Sequence, residues 1–176
     1  MKVYLSGKMT GLSEEKIWKN FRIVESWLAE KSTNTDNGAP IESIMNPAVT
    51  YAMQKYDAFS YEDWLHVDFA MLDACDGVVL LPNWKDSMGA KREIAYAYKH
   101  NKFVFYPVLS FTPRNEHNKK FKFDGEKYNA FEINPELTKQ IALEVEKYDV
   151  KKKAEALLDS FAEDVAAKKL ASEVEG

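Results

Sequence analysis

Two acids, Glu93 and Asp68, stand where an acid is costly unless it is bonded or used. Glu93 lies in the stretch Ser87-Met88-Gly89-Ala90-Lys91-Arg92-Glu93-Ile94-Ala95-Tyr96-Ala97, with Ala90 and Ala97 beside it at helical spacing. Small neighbours leave room around the carboxylate. The face that Glu93 shares with Ala90, Ile94 and Ala97 is apolar, whereas Lys91, Arg92 and Lys99 mark the solvated face. Asp68 stands four residues from both Trp64 and Leu72 and three from Met71, at the border of another apolar stripe. Each acid also has a plain structural reading: Glu93 as an exposed acid favoured by the macrodipole near a helix start, Asp68 as a solvated edge residue.

The segment before Glu93 supplies a setting for a ligand. Gly77-Val78-Val79-Leu80-Leu81, bounded by Asp76 and Pro82, reads as a buried strand that feeds a polar loop and then the Glu93 helix. Free N–H groups at a helix start can hold a polar ligand, and Ser87 and Gly89 lie at that start. Serine at this position also serves as an ordinary N-cap. A comparable loop follows the first expected strand, Lys2 to Ser6. Its residues Ser6, Gly7, Lys8, Met9, Thr10 and Gly11 include two glycines, which permit either close backbone approach to a ligand or an ordinary turn.

The remaining elements follow from capping and periodicity. Ser13 caps a helix with Glu14 and Glu15 in its first turn and an apolar stripe of Ile17, Phe21, Val24 and Leu28, ending near Lys31. Residues 32–40 read as a loop, and Ile41 to Met45 as a second strand stopped by Asn46-Pro47. From Ala48 to Phe59 the pattern is irregular; Tyr51, Met53, Tyr56 and Phe59 either cover a pocket or pack back on the core. Ser60 and Asp63 form a capping-box spacing ahead of the Asp68 helix. Lys102 to Leu109 is a fourth strand, with Pro107 placing it near an edge or ending it early. Polar residues 110–132 include a hairpin signal at Phe121-Lys122-Phe123 and Asp124-Gly125. Asn134-Pro135 opens a helix through Leu137, Ile141, Val145 and Tyr148, and 151–176 reads as a charged helix whose apolar side docks on the domain or binds another copy.

Strands alternating with helices imply an α/β fold: a mainly parallel sheet with helices on both faces, flavodoxin/Rossmann-like, plus a C-terminal helical extension. The expected division is 1–149 for the α/β domain and 150–176 for the tail. In such sheets ligands bind outside the carboxyl ends of the strands, here the loops Ser6 to Gly11, Asn46 onward and Pro82 to Gly89.

Composition narrows the function. A net charge of −4 argues against a nucleic-acid polymer as the main partner. The single cysteine, Cys75, excludes an internal disulfide and a cysteine-rich zinc site, and fits a reducing cytoplasm. No apolar run reaches the ~18 residues of a membrane span, and the start lacks a secretory leader, so a cytoplasmic location is expected.

Taken together, Tyr4-Leu5-Ser6-Gly7-Lys8-Met9-Thr10-Gly11, Asn46-Pro47, Asp68 with Asp76-Gly77-Val78-Val79, and Ser87 through Ala97 resemble the nucleoside 2-deoxyribosyltransferase superfamily, in particular its small bacterial and phage-borne branch. The resemblance covers roughly residues 1–108. It implies an enzyme without cofactor or metal that acts on a deoxynucleoside or deoxynucleotide, and a homo-oligomer in which a neighbouring chain completes the pocket. By motif position Glu93 would attack the anomeric carbon, Asp68 would contact or protonate the base, and Tyr4 would orient the nucleophile. The substrate-binding residues would be Ser6, Gly7, Lys8, Met9, Gly11, Asn46, Ser87 and Gly89. Ser87 stands where the base-exchanging transferases carry an acid, which makes the chain similar also to the 2-deoxynucleoside 5-monophosphate N-hydrolases. Those hydrolases have an arginine in the first glycine loop, where this chain has Thr10, with Lys8 two residues away. A nucleotide-binding protein of the same fold without turnover is the remaining expectation.

Overall fold

The computed structural model describes residues 1–32, 40–51, 59–109 and 121–174. Strand β1 (Lys2–Ser6) alternates across the sheet, with Val3 and Leu5 on one face and Tyr4 and Ser6 on the other. Helix α1 (Glu14–Ser32) covers the first face. Its stripe Ile17, Phe21, Val24 and Leu28 packs into one core with Val3, Leu5, Val79 and Leu81. Ser13 opens the helix as expected, accepting from the Lys16 N–H through Oγ at 3.3 Å. On the second face lie α3 (Tyr61–Asp73) and α4 (Met88–Lys99), the helices that carry Asp68 and Glu93. The capping box of α3 forms in full: the Asp63 N–H donates to Ser60 Oγ at 3.2 Å and the Ser60 N–H to the Asp63 carboxylate at 2.8 Å.

Among the described residues the sheet has six strands. Strands β2 (Ser43–Met45), β1, β3 (Gly77–Leu80) and β4 (Phe103–Leu109) are parallel neighbours in that order. Beyond β4 the direction reverses: β6 (Glu126–Ile133) runs antiparallel to β4, and β5 (Phe121–Phe123) antiparallel to β6. The α/β class holds, but the sheet is mixed, with a parallel half and an antiparallel half. Asp124 and Gly125, both at positive φ (48° and 93°), make the tight turn of the β5–β6 hairpin. Phe121, Phe123 and Tyr128 then join the core under α1.

Pro107 does not mark an edge, because β4 lies between β3 and β6. The ladder to β3 ends with Val79 opposite Phe105, so Pro107 sits beyond the last β3 partner and its missing N–H costs no bond on that side. Between Ala48 and Phe59, a short α2 (Ala48–Tyr51) follows Asn46, Tyr51 packs against the core, and Phe59 meets Trp64 edge-on at 5.3 Å. Met53 and Tyr56 lie outside the described residues.

Helix α5 (Pro135–Val174) starts at Asn134, whose Oδ1 accepts from the Leu137 N–H at 3.0 Å, and continues without a break, so the helix at 135–148 and that of the tail are one. The chain divides into two compact units, Met1–Ala142 and Leu143–Gly176. Within the first, Thr138 bonds the Tyr106 hydroxyl at 3.0 Å and anchors the start of α5 to β4. Among the described residues no helix is long and apolar enough to cross a membrane.

Gly77 opens β3 at a point of close strand contact. A Cβ there would lie 2.8 Å from the Phe103 carbonyl oxygen and 3.0 Å from Phe103 Cβ, and the oxygen belongs to a paired backbone that cannot yield cheaply. Gly77→Ala is expected to lower stability by about 1–3 kcal/mol through this overlap. Urea unfolding with an unchanged m-value checks it; a variant as stable as the parent would show that the β3–β4 contact has slack.

Candidate active site

The site is assembled from the central strand and two helices. Tyr4 and Ser6, two residues apart on β1, direct their side chains to the same face, towards α4. The Tyr4 hydroxyl donates to Glu93 Oε1 at 2.8 Å, and the Ser6 hydroxyl donates to Oε2. All three residues are buried, Tyr4 and Ser6 almost completely and Glu93 at 5% exposure. One carboxylate thus has both oxygens occupied by O–H donors within a region closed to bulk water.

Asp68, half-buried on α3, completes the group by sharing the Tyr4 phenol. Burial is the main reason that the Glu93 carboxyl titrates well above the ordinary range; the Asp68 charge adds to the rise, while the bonds from Ser6 and Tyr4 oppose it. Asp68 is likewise raised by burial and partly relieved by Tyr4. Tyr4 is pushed far above its usual value, first by burial and then by the two acids, so it stays protonated and acts as a donor.

A phenol has one hydrogen, and Tyr4 gives it to Glu93. The two acids titrate as a coupled pair, both raised by burial and Glu93 the higher of the two, so the pair retains a proton through the near-neutral range.

Two ties flank the site and fix α3 against α4. At one end Arg92 Nη1 donates to Glu62 Oε1 at 3.0 Å, and its guanidinium lies over the Tyr61 ring, 5.7 Å from the centroid. Further along, Tyr96 is stacked between Phe69 and His100 at centroid distances of 4.2 and 4.1 Å, and its hydroxyl bonds Asp73 at 2.9 Å. Phe69 adjoins Asp68 in sequence and Tyr96 lies one turn after Glu93, so the stack sets the spacing of the two acids. Arg92 corrects the sequence reading: it is buried, not part of the solvated face, because the α3 start lies over it and supplies Glu62.

The loops after β1 and β3 form the rim. The Lys8 N–H donates to Asn83 Oδ1 at 3.1 Å, and a Cβ on Gly7 would come within 2.7 Å of Leu81 Cβ, so glycine is required for this approach. Ser87 is the N-cap of α4, its Oγ accepting from the Ala90 N–H at 3.1 Å. Gly89 is not required by packing; a Cβ there would meet only the Tyr61 hydroxyl at 3.5 Å and Ser87 Oγ at 3.6 Å. Tyr61, which sequence reasoning did not single out, thus borders Gly89 and feels the Glu93 charge. Only its place next to the Ser60 cap hinted at it.

The other expected binding residues have contacts of their own. Gly11, at φ 79°, closes a turn in which the Leu12 N–H donates to the Met9 carbonyl at 3.0 Å, and Met9 packs against the core. Asn46 donates to Glu25 at 3.1 Å and accepts from the Ala48 N–H at 3.0 Å, capping α2. Away from this site, on the α1 face, a shallow groove of about 610 Å³ is lined by Lys19, Arg22, Trp27 and Phe121. The acid among its lining residues, Glu30, is exposed, unlike Glu93.

The raised acids make stability depend on pH. Above about pH 4 the unfolded chain releases these protons while the folded chain keeps one, so stability falls as pH rises from there to the raised native values. Glu93→Gln removes an acid while keeping shape. Its stability relative to the parent is expected to improve by at least about 1 kcal/mol between pH ~5 and pH ~8.5, measured by chemical denaturation. A difference that does not change with pH would remove the shared proton.

Comparison with known proteins adds one finding. No curated protein and no solved structure matches the chain. Residues 1–106 match the family model DUF4406, a domain of unknown function. That stretch is more than half of the 176 residues and holds Tyr4, Ser6, Asp68, Ser87 and Glu93, and the chain belongs to the DUF4406 family.

Proposed function

We propose that the protein cleaves the N-glycosidic bond of 2-deoxyribonucleosides or their 5-monophosphates, forming a covalent deoxyribosyl-Glu93 ester and transferring the sugar to another base. The observation that carries this reading is the buried Glu93 carboxylate, held by Tyr4 and Ser6 with Asp68 beside them. A nucleophile that attacks an oxocarbenium-like centre has to be anionic, and the leaving base needs a proton. Glu93 and Asp68 divide those roles between them. As the C1–N bond breaks, its electron pair goes to the base, which takes the Asp68 proton, while a Glu93 oxygen bonds C1. An incoming base then gives its N–H proton to Asp68 as its nitrogen bonds C1, the C1–O bond breaks and Glu93 leaves as the carboxylate.

The sheet supports the same reading. Its parallel strands follow the order β2-β1-β3-β4, as in flavodoxin-like sheets, and β1 and β3 flank the switch point where ligands bind in that architecture. The loops at the carboxyl ends of those two strands are the rim described above. We therefore take the fold as a flavodoxin/Rossmann-like half-sheet extended by an antiparallel pair.

A hydrolase of 5-monophosphates is the second reading, favoured by Ser87 at the N-terminus of α4. The first turn of that helix contains no acid, and the N–H groups there and Lys8 in the neighbouring loop suit a phosphate.

Mass spectrometry of the intact protein mixed with deoxynucleosides and deoxynucleotides tests the proposal. A deoxyribosyl adduct is expected on the parent, and Glu93→Gln is expected to lose both adduct and turnover, the latter by more than ~10³-fold. Nucleotide binding without adduct or turnover would instead make the protein a non-catalytic binder. Asp68→Asn is expected to slow poor leaving bases by ~10²–10⁴-fold and good ones less, as the loss of a proton donor requires. Rates for a nucleoside and its monophosphate, compared on the parent and on Ser87→Ala, decide between the substrates. A preference for the monophosphate that Ser87→Ala abolishes supports the phosphate site; a parent that prefers the free nucleoside removes it.

A further inference from the structure

The second compact unit, Leu143–Gly176, is helical from its start to Val174 and carries apolar side chains that nothing in its own helix covers. Leu143, Val150, Leu157 and Phe161 are 46%, 63%, 63% and 68% exposed. Their spacing is regular. Leu143, Val150 and Leu157 recur every seven residues, and Lys147, Ala154 and Phe161 follow each of them by four. That alternation of four and three is the a/d repeat of a coiled coil, with Leu143, Val150 and Leu157 at d and Lys147, Ala154 and Phe161 at a.

We infer that the segment from Leu143 to Phe161 is a self-pairing seam, and that its occupant is the same helix of a second copy of this chain, running parallel to it. Three observations point to a second copy. First, Leu143, Val150, Leu157 and Phe161 are exposed along the helix, and a seam two residues wide per heptad fits one partner helix. Second, the flanks are self-complementary. Glu146 precedes an a position and Lys151 follows the next d position, and in a parallel pair these are the positions that meet across the interface, giving Glu146 to Lys151 of the second copy twice by symmetry. Lys151 and Glu155, 77% and 61% exposed, stand 3.8 Å apart along the helix, a loose surface contact that leaves Lys151 able to reach across. Third, Lys147 occupies a single a position, the kind of polar interruption that fixes register and favours two strands at a cost in stability. An antiparallel pair centred on the large apolar residues would set Lys151 against Lys151 and Lys153 against Lys153, which opposes that arrangement.

This inference concerns a surface remote in sequence from the proposed chemistry and stands without it. The full chain should sediment as a dimer at tens of micromolar. The double variant Leu157→Asp with Phe161→Asp should be monomeric, with the urea transition of the α/β unit unchanged, since both side chains are solvent-exposed in the single chain. Glu146→Lys should weaken the dimer and the combination Glu146→Lys with Lys151→Glu should restore it. Leu157→Cys in a Cys75→Ser background should form an intermolecular disulfide under mild oxidation, as like positions face each other only in a parallel pair. A monomeric parent, or a dimer that survives the two aspartates, overturns the seam. A dimer that the aspartates disrupt but that neither cross-links nor responds to the charge exchange overturns the parallel arrangement.

Discussion

The structure depends on keeping Glu93 out of water without an ion pair to it among the described residues. The groups that set its ionisation are Asp68, another acid, and the hydroxyls of Ser6 and Tyr4, with no cation among them. A lone buried carboxylate of this kind is stabilised only by the donors that surround it, so those donors have to be held rigidly. Strand β1 provides that rigidity. It is paired on both edges, to β2 and β3, and Val3 and Leu5 lock its opposite face into the α1 core. Tyr4 and Ser6 cannot turn away from Glu93 unless β1 leaves the sheet.

Helix pairing supplies the second constraint. Asp68 and Glu93 come from different helices, so their spacing depends on how α3 is held against α4. The Arg92–Glu62 bond and the Phe69–Tyr96–His100 stack lie on either side of the acids and hold that spacing. Arg92 is nearly buried while Glu62 is largely exposed. Their pairing therefore contributes less through Coulomb attraction than through covering the guanidinium and placing the Tyr61 ring at the rim.

Much of this was legible in the sequence, and the boundary has a physical cause. Glu93 and Asp68 were identifiable because an acid on an apolar stripe breaks a local pattern, and local patterns are what a sequence displays. The Ser60–Asp63 box and the Asp124-Gly125 turn were readable for the same reason. Arg92 was misread because the acid that pairs with it is thirty residues away on another helix. Strand β6 was hidden by its register. Its pairing with β4 shifts at Val108–Leu109, so that Ala130 and Tyr128 are matched and Asn129 is skipped. Tyr128 and Phe131 consequently reach the same core although their spacing is odd, and the two-residue alternation that announces a strand is lost. Pro107 misled similarly, since the end of the β3 ladder is not visible from β4.

Folding and the proposed chemistry pull Glu93 in opposite directions. Burial favours a neutral carboxyl, whereas a nucleophile has to be anionic, and a site open to water would resolve the conflict but would also hydrate the charge and blunt its attack. The arrangement on β1 offers a different resolution. Two hydroxyl donors stabilise the anion on Glu93 without introducing a cation that would pair with it and reduce its reactivity. For the proposed reaction the pair's proton has to move from Glu93 towards Asp68, a shift that the two donors on Glu93 favour and its deeper burial opposes. Ser6 matters in this scheme because without its hydroxyl only Tyr4 would hold the Glu93 charge where the sugar would be attacked.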